Sequence, residues 1–142
     1  MEIRTAININ CSPEQVWRTL TAFDKYPSWN PFIKSLEGVP VEGGKIKVSI
    51  TPPSSSGMTF KPTVLKYAEG RELRWKGSLG ISGLFDGEHF FVLEKNDDGS
   101  TRLIHGEKFS GILVKVLSLF LGNTKEGFEQ MNAALKKECE KN

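Results

Sequence analysis

The stretch from Gly111 to Glu140 constrains this chain more than any other. Apolar residues recur there at Val114, Leu117, Leu121, Phe128, Met131 and Leu135, and Thr124 fills the one gap in a three-four rhythm. That is the spacing of one helical face. As one continuous helix it would run ~45 Å at ~1.5 Å per residue. Almost everything before it reads as short strands. A long amphipathic helix after a run of strands predicts an α+β fold, with the helix laid across one face of a sheet. Gly122 followed by Asn123 and Glu126 reads as both a stop and a restart, so a kink there and a straight helix both fit the pattern.

A chain of 142 residues most simply forms one domain over residues 1–142 and buries a core without staples. Its net charge is +2, with Lys and Arg interleaved among Asp and Glu, so there is no electrostatic case for nucleic acid. Cys11 and Cys139 show no metal-ligand spacing and read as free thiols of a reducing compartment, with a disulfide left open. The N-terminal MEIRTAININ alternates polar and apolar residues and lacks the apolar core of a signal peptide. The longest apolar run, Ile112 to Leu121, is broken by Lys115 and Ser118 and is too short to span a bilayer. The expectation is a cytoplasmic protein, monomer or homodimer, with no cofactor, no metal and no transmembrane segment. Lys136, Lys137 and Lys141 fit a solvated helix end and leave room for a transient membrane contact.

Along the chain, Ile3, Thr5, Ile7 and Ile9 share one face of a half-buried first strand. Ser12, Pro13 and Gln15 then form a helix start: an N-cap, a proline at the first helical position and a capping box. Val16, Trp17 and Leu20 give that short helix its apolar face, and a second short turn follows before Pro27. Further strands are expected at Ile33–Gly38, around Ile46–Ile50, and over Met58–Ala68, Glu72–Leu79, His89–Leu93 and Leu103–Phe109. Short connections between five consecutive strands predict an antiparallel meander.

Five segments in this order carry a resemblance: SPEQVW at Ser12–Trp17, FDKYPSWNPFI at Phe23–Ile33, LRW at Leu73–Trp75, FDGEHFFVLE at Phe85–Glu94 and TRLIHGEKFSGIL at Thr101–Leu113. Together they resemble the START-like, or SRPBCC, superfamily, and within it the polyketide cyclase/dehydrase-like branch. The resemblance implies the helix-grip fold, a curved antiparallel sheet of about seven strands wrapped around the C-terminal helix, with a cavity between them. It also implies a hydrophobic small-molecule ligand: lipid-, polyketide- or quinone-like. Because members include carriers, sensors, cyclases and co-chaperones, it leaves open a binding protein, a cyclase/dehydratase-type enzyme and an interaction module.

Alternation singles out the residues that would face the helix. Phe60, Val64, Trp75, Phe91, Phe109, Leu117 and Met131 would supply apolar walls. His105 and Glu107 lie two apart on one strand and His89 takes the same facing on the strand before. An imidazole oriented by Glu107 is an acid–base pair or a ligand anchor; a closed internal polar network is the plainer alternative. His105 and Glu107 are the catalytic candidates under the enzyme reading. Asn30 sits at the expected cavity rim, although asparagine before proline is also ordinary turn chemistry. The loop Gly80–Gly87 carries Ile81, Leu84 and Phe85 between glycines and reads as a lid or as a wide turn closing the barrel end.

Overall fold

A computed structural model of the chain describes residues 1–78, 80–117 and 123–141, with the side chains of 116 and 117 excepted. Among these residues eight strands occur: β1 Glu2–Ile9, β2 Ile33–Glu37, β3 Lys47–Ile50, β4 Met58–Phe60, β5 Thr63–Ala68, β6 Glu72–Ser78, β7 Asp86–Lys95 and β8 Thr101–Ser110. The helices are α1 Pro13–Thr21, α2 Tyr26–Trp29, α3 Val114–Leu117 and α4 Thr124–Cys139. A five-stranded sheet runs β1-β8-β7-β6-β5 and a three-stranded one runs β2-β3-β4, antiparallel throughout. A bridge between Lys45 and Thr63 joins them. Beside it, Gly43 N donates to Val64 O and Val64 N to Gly44 O, each at 2.8 Å. The architecture is the α+β helix grip, antiparallel sheets wrapped around the C-terminal helix.

Local chemistry accounts for the element boundaries. Ser12 caps α1, and the reciprocal bonds of a capping box with Gln15 are both made. The expected strand over Met58–Ala68 is two strands, which brings the count to eight rather than seven. Pro62 divides them, since it has no N–H to give a ladder. Helix does not begin at Gly111, as the apolar rhythm suggested, but at Val114. Gly111 has φ 110°, and a Cβ there would lie 2.5 Å from Leu84 O, so the chain passes too close to the β6–β7 loop for another residue. The choice between a kink and a straight helix at Gly122 lies outside the described residues.

The core fills the space between sheet and helix. Ile3, Ile9, Leu73, Phe91 and Leu103 from the sheet meet Phe128, Met131 and Leu135 of α4, with Val16, Trp17 and Leu20 of α1 at one side. The far end of α4 is tied to the β1–α1 junction: Lys136 Nζ donates to Asn8 O at 3.1 Å, and Cys11 Sγ to Cys139 O at 3.1 Å. Phe90 and Ile104, on the opposite face of their strands from His89 and His105, are buried as well. Phe90 is covered by the Arg74 guanidinium, 4.8 Å from its ring centroid and held by Glu72 and Glu88. No helix among the described residues is long and apolar enough to cross a membrane.

Candidate functional site

Strand register assembles the polar residues of the concave face. His89 pairs with Glu107 across β7 and β8, and Phe91 pairs with His105. Thr5 pairs with His105 across β1 and β8, and Trp75 with His89 across β6 and β7. The side chains make one continuous chain of hydrogen bonds. Glu107 Oε1 lies 3.0 Å from His89 Nδ1, and His89 Nε2 lies 2.7 Å from His105 Nε2. His105 Nδ1 lies 2.8 Å from Asn132 Oδ1 of α4, and Asn132 Nδ2 lies 2.8 Å from Thr5 Oγ1. Thr5 Oγ1 closes the chain on the His105 carbonyl at 2.7 Å.

The closing carbonyl fixes the direction of the inner bonds, from Thr5 to His105 Nδ1. A carbonyl only accepts, so the Thr5 hydroxyl donates to it and its oxygen is left to accept from the Asn132 NH₂. Asn132 Oδ1 therefore faces His105 and accepts from His105 Nδ1–H. A neutral His105 then has an acceptor at Nε2, which takes the proton of His89 Nε2–H. What remains is His89 Nδ1 against Glu107 Oε1, and a single proton must lie between them. Either His89 is an imidazolium on a carboxylate, or a carboxylic acid donates to a neutral ring.

Packing sets the charge state of the inner ring. His105 is fully buried, stacked between Phe91 at 4.3 Å and Phe128 at 4.4 Å. Burial pushes its pKa well below the ordinary 6.5, and His89 beside it pushes the same way; the bonds to Asn132 and the Phe128 backbone oppose them. Below ~pH 6.5 the unfolded chain therefore takes up a proton at His105 that the folded chain refuses. Stability is expected to fall on acidification from there by ~1.4 kcal/mol per pH unit from this group, until the folded ring itself titrates. Urea unfolding at a series of pH values checks this: the curve of His105→Gln should be flatter than wild type by one proton, and parallel curves would remove His105 from the account.

Around the relay, Trp75 stacks on His89 at 4.9 Å, with the rings 9° from parallel. Glu107 is the outer end, its side chain 20% exposed against 5% for His89. Gly87 makes room for it: a Cβ at 87 would sit 2.0 Å from Glu107 Oε2. This glycine stands opposite Phe109 at the strand end, so its lack of a side chain lets the carboxylate lie over β7. The two Nε2 atoms, 2.7 Å apart, are at hydrogen-bond distance, closer than the ~3.3 Å between two nitrogens that each lie ~2.0 Å from a tetrahedral zinc. Among the described residues no group of three or more His, Cys, Asp or Glu is set to hold an ion.

The other candidates fall into place around this chain. Val64, Phe91, Phe109 and Met131 are buried core. Phe60 is half-buried on the three-stranded sheet, opposite Val48. Leu117 lies on α3, its side chain outside the described ones. Asn30 is buried in the turn after α2, where its Oδ1 accepts from Phe32 N at 3.0 Å and Ile33 N at 2.9 Å. Those bonds leave its Nδ2 as a buried donor without a partner. In the β6–β7 loop Ile81 is 72% exposed, while Phe85 stacks on Phe109 at 5.7 Å. Leu113 N donates to Leu84 O at 2.9 Å, which clasps this loop to the segment after β8. Asp86 holds the loop from within, accepting from Ser78 Oγ and Gly83 N, and these bonds keep its carboxyl below the usual range.

Sequence and fold comparisons meet at this point. The family model described as polyketide cyclase / dehydrase and lipid transport matches residues 1–140. The chain belongs to that family. Solved structures similar in fold include the Zhui aromatase/cyclase of a Streptomyces, at 11% identity and TM-score 0.77 over 99% of this chain and 94% of that one. A Mesorhizobium loti protein matches at 20% identity and TM-score 0.73, over 96% and 95% of the two chains. A Thermus thermophilus protein matches at 16% identity and TM-score 0.74, over 98% and 97%. No protein of curated function matches the chain by sequence. For this family member, identities so low carry the helix-grip fold and leave the ligand to the residues of the site itself.

Proposed function

We propose that this protein binds an apolar small molecule, lipid-, polyketide- or quinone-like, between the concave sheet face and the C-terminal segment, with Glu107 as its polar contact. One observation carries the reading: the relay engages both ring nitrogens of His89 and His105 and ends outward in the half-buried Glu107 carboxylate, bonded to the His89 ring on which Trp75 stacks and two residues along β8 from Phe109, which stacks with Phe85. A site that holds an apolar body and orients it by a few placed polar groups has this composition. The family description, which includes lipid transport, supports it. A second reading, a cyclase or dehydratase, is favoured by the proton shared between Glu107 and His89. A carboxylate backed by an imidazole is suited to removing a proton α to a carbonyl, and His105, with both nitrogens engaged, would act only through His89.

Native mass spectrometry of the protein purified without denaturant, joined to a Nile red titration, tests the binding reading. A stoichiometric adduct, or saturable Nile red fluorescence displaced by an apolar extract, is the expected result. Neither an adduct nor saturable dye binding would overturn it.

A further inference from the structure

Resting on the binding reading above, we infer that the ligand is a neutral apolar molecule that presents an O–H or N–H donor to Glu107 Oε2, and that carboxylates and donor-free molecules are discriminated against. The inference comes from the proton inventory of the relay. With the proton on His89 Nδ1, Glu107 is a carboxylate and Oε2 accepts. With the proton on Glu107, it lies on Oε1, because Oε1 is the atom 3.0 Å from the ring nitrogen. Oε2 is then the carbonyl oxygen of the acid, and again accepts. Were His105 the charged ring instead, His89 would donate from Nδ1 and Oε2 would still accept. Each way of placing the shared proton leaves the same face toward the ligand.

Oε2 makes no hydrogen bond to protein among the described residues; it lies in the space that a side chain at Gly87 would fill, on a side chain that is 20% exposed. The basic group bonded to Glu107 is His89, which the relay already commits. A ligand carboxylate would bring a second set of lone pairs, and a like charge, against Oε2. An ether or ester oxygen there would leave both acceptors unpaired and desolvated. A phenol, alcohol or amide N–H satisfies Oε2 in every protonation state of the pair.

Naphthol, methoxynaphthalene and naphthoate, substituted at one ring position, share an apolar body and differ only in the polar group. Titrated calorimetrically against the full chain near neutral pH, naphthol is expected to bind about tenfold more tightly than its methyl ether, and naphthoate more weakly still. Glu107→Gln should keep the preference for naphthol. Its amide N–H donates to a neutral His89 Nδ1, and its carbonyl oxygen takes the place of Oε2. Glu107→Met should bring the ratio of naphthol to ether close to one. Circular dichroism and melting of each variant confirm that the ratios are read on folded protein. Equal or tighter binding of the ether or the naphthoate by wild type would overturn the inference. So would loss of the preference in the Gln variant, or its survival in the Met variant. Failure of all three compounds to bind folded wild-type protein would instead overturn the binding reading itself, and the inference with it.

Discussion

Replacing Phe128 by alanine is expected to lower the unfolding free energy by about 3–5 kcal/mol, the range for emptying a buried aromatic site. Phe128 is fully buried where α4 crosses the sheet. Its ring stacks on His105 at 4.4 Å and meets Phe32 and His89 edge-on, at 5.3 and 5.0 Å. The site cannot collapse easily, because its neighbours are committed elsewhere. His105 is hydrogen-bonded at both nitrogens, and Phe32 lies against Gly127, where a Cβ would stand 2.5 Å from the ring. The cavity therefore persists and opens over His105. Water reaching it would relieve the burial that holds that ring neutral, so the acid sensitivity of wild type should weaken in the variant. Urea denaturation at neutral pH and near pH 5 reads both effects. A loss below about 1 kcal/mol, with an unchanged pH slope, would mean that the ring does not seal the inner end of the relay.

How much of this was legible in the sequence follows from which physical rule placed each residue. Period-two alternation depends on the strand alone, so Ile3, Thr5 and Ile9, then His89 and Phe91, then His105 and Glu107 could be assigned a common face without coordinates. The capping box at Ser12 and Gln15 was equally local. Contact between the histidines was not legible, because it depends on register. A slip of one residue between β7 and β8 would have sent one histidine to the opposite face, and a slip of two would have parted His89 from Glu107. Asn132 is hidden in the sequence by its apolar neighbours on the helical face, Phe128, Met131 and Leu135. An asparagine four residues after Phe128 sits on that same face, and a lone amide in an apolar stripe was the signal available. Thr5 reads in sequence as a small member of an isoleucine series; its hydroxyl acquires a role only through the pairing of β1 with β8. Gly87 reads in sequence as the end of a lid loop or wide turn. Its pairing opposite Phe109, beside Glu107, shows a different reason for glycine there, a close approach by a carboxylate.

Asn132→Leu is expected to cost about 2–4 kcal/mol although it keeps side-chain volume and adds apolar surface to a helix face that is already buried. The loss comes from what leucine leaves behind. His105 Nδ1–H and the Thr5 oxygen, both buried, lose the partner they share, and each such orphan costs ~1–3 kcal/mol, partly offset by the buried methyl groups. Asn132→Asp separates the hydrogen-bond cost from the charge cost. An aspartate can still accept from His105, and Thr5 can turn its hydroxyl toward the second oxygen, but an anion now stands beside the ring. That anion favours imidazolium at His105, so the folded pKa moves up toward the unfolded value and the acid-induced loss of stability should shrink. The leucine variant should instead keep the wild-type slope, or steepen it, because the bond that opposes the lowering of His105 is gone. Thermal and urea unfolding of the three proteins from pH 8 to 5, with the ring C–H resonances of both histidines followed by NMR, distinguishes these outcomes. Equal slopes in all three would show that Asn132 merely fills space. Divergent slopes, with the Asp variant flattest, would establish that α4 sets the protonation of His105 and, through His89, the proton shared with Glu107.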